Sequence, residues 1–247
     1  MSVLSTRAPL AACALAIFAA AAAPAASAAT FAATAIGQLS LVSVSGDASA
    51  LAFSTSDLTD ESIARQGIAT GFKDTLVSYT FDPLGLGTGV DVYVEALIDG
   101  SASGVAPGSS VQASAMATSF LNIFNGAASP VELELSFSYD LIAELFATPG
   151  PLLVNSGLAE AVFTLNIGGS LDEQLFAFAN LELGPDADAL SGSFLRTLVI
   201  GPGELLLLDL GASTFGVADV AVVPVPAAAW LLLSALGTAG ALRRRVA

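Results

Sequence analysis

The chain has 247 residues, with 22 Asp and Glu against 7 Lys and Arg, one cysteine, no histidine and a formal net charge of −15. Without histidine, Ser-His-Asp and Cys-His nucleophile systems and histidine-bearing zinc sites are excluded. All 22 acids lie between Asp47 and Asp219, where only Arg65, Lys73 and Arg196 oppose them, a net of −19; such a polyanion repels nucleic acid and anionic lipid, and its surface favours solubility, divalent cations and cationic matrix components.

Residues 1–28 read as a secretory signal peptide. Arg7 is the lone positive charge, Leu10 to Ala23 is apolar, and Ala26-Ser27-Ala28 supplies an A-x-A pattern that puts signal-peptidase cleavage after Ala28, following export through the Sec translocon. Leu10-Ala11-Ala12-Cys13 superficially matches a lipoprotein box, but most of the apolar core follows Cys13 instead of preceding it. Once Cys13 leaves with the signal, no thiol or disulfide chemistry remains, and residues 29–221 must fold by burial alone.

Through that middle stretch the pattern is β. Gln38 to Ser45, Ala50 to Ser54, Thr75 to Phe81 and Val90 to Ile98 are strand candidates, and Asp57 to Arg65, with acids in its first turn, reads as the one short helix. Val111 to Phe124 leads into Asn125-Gly126-Ala127-Ala128-Ser129-Pro130, which is turn chemistry. Val131, Leu133, Leu135, Phe137, Tyr139 and Leu141 then alternate with Glu132, Glu134, Ser136, Ser138 and Asp140, a period-two strand with one wet face. The strand pair forms a hairpin or a sheet-switching unit. Ala161 to Ile167 and Leu175 to Leu183 are β-like, and Phe194 to Ile200 and Glu204 to Leu210 flank Gly201-Pro202-Gly203, a hairpin signal. About nine or ten strands separated by turn residues predict an all-β, antiparallel two-sheet β-sandwich, jelly-roll or Ig-like; a parallel β-helix lacks the fixed-period repeat it would need.

Few residues carry chemistry. Glu132 and Glu134, roughly 7 Å apart along a strand, satisfy the carboxylate spacing of a glycoside hydrolase. The same pattern describes any acid-decorated solvent face, and ring-stacking aromatics are scarce. Calcium is the more credible ligand, with Asp57, Asp60 and Glu61, Asp172 and Glu173, and Asp186 and Asp188 as oxygen-rich clusters, but none matches an EF-hand or a Gly/Asp nonapeptide repeat, and exposed turn and cap roles account for them better. Gly85, Gly87 and Gly89 have no neighbouring Lys or Arg and no Walker-type sequence, so they read as a turn. Phe163, Phe176, Phe178 and Phe194, at strand spacing, read as core.

The chain closes on residues 222–247. Ala227 to Leu242 carries no charge over 16 residues, short of the ~20 that span hydrocarbon without local thinning. Arg243, Arg244 and Arg245 follow and set a cytoplasmic end, with Trp230 suited to the opposite interface. Pro224 and Pro226 mark the outer edge of this transmembrane helix. Physically the segment is compatible with a plain C-terminal membrane anchor.

It also resembles a known signal. Val223-Pro224-Val225-Pro226-Ala227, then an apolar helix, then an arginine run, is similar to the VPxPA (VPLPA-type) subgroup of PEP-CTERM exosortase sorting signals of Gram-negative bacteria; the commoner form has Leu where Val225 stands. The resemblance implies recognition of the proline motif by an exosortase, a membrane-embedded cysteine transpeptidase-like enzyme, with removal of the helix and arginines. It further implies an exported product released or held at the cell surface or in an exopolysaccharide or biofilm matrix, and the lack of catalytic residue types in the middle stretch points to a non-enzymatic one. A carbohydrate- or calcium-binding surface module is the alternative reading, and a carboxylate-dependent glycoside hydrolase the remoter one.

Overall fold

A computed structural model of the chain describes residues 27–81, 90–104, 108–148, 153–181 and 186–222. Ten strands fill them: β1 (Ser27–Ser45), β2 (Leu51–Gln66), β3 (Ala69–Phe81), β4 (Val90–Gly104), β5 (Ser109–Asn125), β6 (Val131–Thr148), β7 (Leu153–Ile167), β8 (Ser170–Asn180), β9 (Asp186–Ile200) and β10 (Leu205–Val222). The predicted signal peptide lies outside the described residues apart from its last two, and the C-terminal helix lies wholly outside them. Among the described residues no helix is long and apolar enough to cross a membrane.

All pairings are antiparallel and make two five-stranded sheets, a first in the order β3-β4-β1-β6-β9 and a second in the order β2-β5-β10-β7-β8. The pairing nests around the β7–β8 connection: β7 takes β8, β6 takes β9, β5 takes β10, and β4 then takes β1. The sheets face one another over a single core, with β4 against β5, β1 against β10 and β6 against β7.

Alternation builds that core. On β5 every second residue from Ser109 to Asn125 is buried, and the inward set on β6 runs Val131, Leu133, Leu135, Phe137 and Leu141, as its sequence pattern predicts, and continues through Ala143 and Leu145. Long runs of inward alanine, such as Ala113, Ala115 and Ala117, leave room for a few large rings. Phe31 enters between Gly100 and Gly216, one from each sheet, where any Cβ would collide with its ring. Phe137 stacks on Phe194 at 5.3 Å, and Phe163 meets Phe194 edge-on at 6.4 Å and Tyr139 at 5.7 Å.

Three expectations are corrected. Asp57 to Arg65 is not a helix but the second half of β2, paired residue for residue with β5 from Asp57↔Ser119 to Arg65↔Val111. A local capping pattern gives way because a partner strand satisfies every second backbone group, and tertiary pairing outweighs weak helix propensity. Gly201-Pro202-Gly203 does not close a hairpin, since β9 belongs to the first sheet and β10 to the second. The connection crosses between layers, with Gly203 at φ 73° and the Glu204 side chain accepting from the Gly201 N–H at 2.8 Å. Likewise, of the four phenylalanines read as core, Phe163 is buried and Phe194 packs against the core, whereas Phe176 and Phe178 stand on the outer face of the second sheet. Their β7 register partners are Val162 and Glu160, which alternate with the buried Ala159, Ala161 and Phe163. The β5–β6 pair resolves as a sheet-switching unit.

Candidate functional site

Strand directions place both described chain ends at one end of the molecule. Ala28 pairs with Ser103 at the finish of β4 and with Thr148 at the finish of β6, while Val220 and Val222 pair with Ser109 and Leu153 at the starts of β5 and β7. The Gly67-Ile68 turn sits at the same end, joined through the Ser109 hydroxyl, which accepts from the Ile68 N–H at 3.1 Å. Of the proposed cleavage residues, Ala28 is in β1 and Ala26 is outside the described residues. The motif Val223 to Ala227 and the arginines Arg243, Arg244 and Arg245 are also outside them, but the motif begins one residue after the last pair of β10. On the outer side of this end, a shallow cavity of about 300 Å³ has Arg65, Gln66, Gln112 and Asp219 among its walls.

The carboxylates singled out from sequence separate into different surroundings. Glu132 and Glu134 lie on the outer face of β6, flanked by Ser45 and Ser43 of β1 and by Val199 and Thr197 of β9. Glu134 accepts a hydrogen bond from the Ser43 hydroxyl at 3.0 Å. That is a broad sheet surface, away from the cavity. Asp57 and Glu61 share the inward side of β2 while Asp60 points outward, so the three do not converge. Asp188 accepts from the Phe178 backbone N–H at 3.1 Å, and Asp186 is described only by its backbone pairing with Leu145. Among the described residues no group of three acidic, His or Cys side chains is arranged to hold a metal ion. Gly85, Gly87 and Gly89 lie outside the described residues.

Two arrangements escaped the sequence reading. The first uses the middle stretch's three cations, each of which bridges the two layers at an open edge. At the β2/β3 edge, Lys73 reaches Glu61 at 2.9 Å, Thr75 donates to the same carboxylate at 2.8 Å, and Arg65 donates to the Gly71 carbonyl at 2.7 Å. These donors hold the Glu61 carboxyl below its ordinary value, the Lys73 hydrogen bond contributing most and Thr75 next. At the β8/β9 edge, Arg196 binds Asp172 at 2.9 Å and Glu173 at 3.4 Å and lies 4.7 Å from the Phe194 ring centre. Asp172 is the extra residue of a β-bulge opposite β7, which lets consecutive acids turn toward one guanidinium. Inward-pointing charges of this kind also deter edge-to-edge pairing between molecules.

The second is Asn125. Fully buried, its amide nitrogen donates to the carbonyls of Ile200 (2.9 Å), Ser129 (3.0 Å) and Gly201 (3.2 Å), and its side-chain oxygen accepts from Ala127 N–H at 2.9 Å. Its backbone N–H donates to the Glu204 carbonyl and its carbonyl accepts from Gly203 N–H, while Gly126 N–H donates to Ala50. Asn125 thus fastens the β5–β6 and β9–β10 connections, and its neighbour Gly126 adds the β1–β2 connection, at the end opposite the described chain ends. On the outer face of β4, the Tyr93 hydroxyl donates to Glu95 at 2.9 Å; desolvation, then this hydrogen bond and the carboxylate charge, push the phenol up to about 12.

No family model matches the chain, and no curated protein matches it. Among solved structures, a secreted serine protease, VesC from Vibrio cholerae, is matched at 9% identity and a TM-score of 0.12, over 70% of this chain and 47% of that one. The chain therefore spans about half the length of that protein, and the likeness carries no argument about fold or activity.

Proposed function

We propose that this protein is an exported, non-enzymatic β-sandwich, sorted by an exosortase to the cell surface or the extracellular polysaccharide matrix, where it has a structural or adhesive role. Residues 1–28 serve as the signal peptide, residues 29–221 form the displayed domain, and residues 222–247 are the sorting signal, its helix holding the precursor in the inner membrane. The nested order of β4-β1-β6-β9 over β5-β10-β7-β8 is the wrapping of a jelly roll in which β1 fills the place of a final strand.

The observation that supports this reading is the exit geometry. β1 enters and β10 leaves at the same end, and β10 reaches Val222 without a linker before Val223-Pro224-Val225-Pro226-Ala227. A domain so connected stands on the membrane by one end and presents the Asn125 end outward. Cleavage after Ala28 takes two residues from β1 and leaves the pairs from Ala29 onward with β4 and β6.

Intact mass of the protein recovered from its native host is the test. The expected species begins at Ala29 and ends between Pro224 and Ala227. Recovery of a species that keeps Arg243 to Arg245 overturns processing and leaves a plain anchor. Absence of the mature protein from both the outer surface and the matrix fraction overturns the proposed destination.

A further inference from the structure

The outer faces of the two sheets differ in how their apolar residues are set. On the first sheet they are interrupted by acids: Phe72 is beside Asp99, and Leu76, Glu95, Ile36 and Asp140 follow one another across four strands. On the second sheet they adjoin. Strands β7, β8 and β10 put Leu158, Val162, Phe176, Phe178, Phe215 and Val217 on the side away from the core, with Val162 paired to Phe176 and Leu158 to Val217. Phe178 and Phe215 flank Glu160 on either side. Phe176 is 62% exposed and Phe178 38% exposed. Toward the Asn125 end the same face continues with Phe120, Phe124, Leu205 and Leu207, the last three of them exposed.

We infer that this face of the second sheet is an interface with a second copy of the chain, the two second sheets packing against each other between two outward-facing first sheets. Three observations choose this occupant. The area suffices: five strands spaced ~4.8 Å and about 15 residues long at ~3.3 Å per residue make a face of roughly 1,200 Å², against ~800 Å² per partner in a standard interface. The shape suits a like partner, because two pleated sheet faces pack on one another, as the two sheets of one molecule already do. The charge disfavours a lipid surface, because the face offers Asp60, Glu160, Asp209 and Asp219 with no outward cation among its described residues, on a domain of net −19.

An isologous contact brings each of these carboxylates near its own kind. Association is therefore apolar in origin and opposed by like charge, so salt strengthens it. This inference does not depend on the sorting reading.

The test places a benzophenone photo-crosslinking amino acid at Phe176 of the full chain, in the bacterium that makes it, with Leu76 on the first sheet as the control position. The Phe176 probe is expected to give a species of twice the monomer mass whose cross-linked peptide maps to β7, β8 or β10 of the second copy, in at least ten-fold excess over the Leu76 probe. Phe178→Asp in the same chain is expected to lower that yield about ten-fold, and raising salt from ~0.05 M to ~0.5 M to increase it a few-fold in cell extracts. Cross-links from Phe176 to lipid, to polysaccharide or to another protein overturn the inference, as does a yield no higher than at Leu76, or one that falls with salt.

Discussion

At the end of the molecule away from its described chain ends, a single uncharged amide ties the β5–β6 and β9–β10 connections together; along the two open edges, the same task of joining layers falls to Arg65, Lys73 and Arg196. Asn125 is 0% exposed, whereas the side chains of the Lys73–Glu61 and Arg196–Asp172 pairs keep about a third of their surface in water. Water can replace a lost partner at the edges but not at the buried end. A neutral buried hydrogen-bond set therefore outweighs ion pairs that look stronger on paper, since an orphaned buried group costs its full desolvation while exposed pairs are screened.

The contrast can be broken most directly at Asn125. Asn125→Ala leaves the Ile200, Gly201 and Ser129 carbonyls and the Ala127 N–H without this partner, and unfolding by urea should show a loss of about 3 kcal/mol. Asn125→Asp keeps the acceptor but sets a carboxylate against three carbonyls, and should be less stable still at neutral pH, regaining stability on acidification as that carboxyl is protonated. If either variant melts with the wild-type, the stitched end does not contribute as described.

Next in size is Arg196→Ala, expected to cost about 1 kcal/mol because two carboxylates and one ring lose a shared, half-exposed cation. Lys73→Met should lower the melting temperature by less, there being one carboxylate and no ring. Its effect should also depend on pH. Glu61 has a folded value depressed below 4.5, so its pairing contributes stability fully above that ordinary value and loses it as pH falls through the lower folded one. Melting curves of Lys73→Met and wild-type should therefore converge as pH falls through that depressed folded value; a difference that persists once Glu61 is protonated rules out the ion pair as its origin.

The smallest effect belongs to Tyr93, on an outer face that is neither stitched end nor clasped edge. Its folded value is raised to about 12, so the hydrogen bond to Glu95 is fully present below the phenol's ordinary 10.0 and is lost as pH rises from there to about 12. Tyrosinate absorbance should show one late-titrating phenol that Tyr93→Phe abolishes, with little change in stability at neutral pH.

Legibility in the sequence followed the strength of the local pattern. The β6 alternation from Val131 to Leu141 was readable because large apolar side chains occupy every inward position, and the Asn125 to Pro130 turn because its residues favour no regular element. β2 beyond Ser56 is harder to read, since Asp57, Thr59, Glu61 and Arg65 take inward places there. Phe176 and Phe178 misled for the opposite reason: ring size suggested burial, while register on an edge strand turned both outward. The carboxylate pairs were visible in the sequence, but their partners were not, because Arg196 and Asp172 are 24 residues apart and meet only when β8 and β9 close one edge.

The sequence by itself determined that the middle of this chain is built of strands and strongly acidic, and that residues 29–221 contain no histidine or cysteine. Those properties follow from residue type and from period-two alternation, which act over a few neighbours. Only the tertiary structure decided which strands pair, that β9 and β10 part company at Gly201 to Gly203, that three scattered cations become edge clasps, and that both described ends emerge together. These depend on contacts between residues far apart in the chain, such as the Thr30 hydroxyl and the Phe146 carbonyl 116 positions away, and no local propensity specifies a partner at that distance.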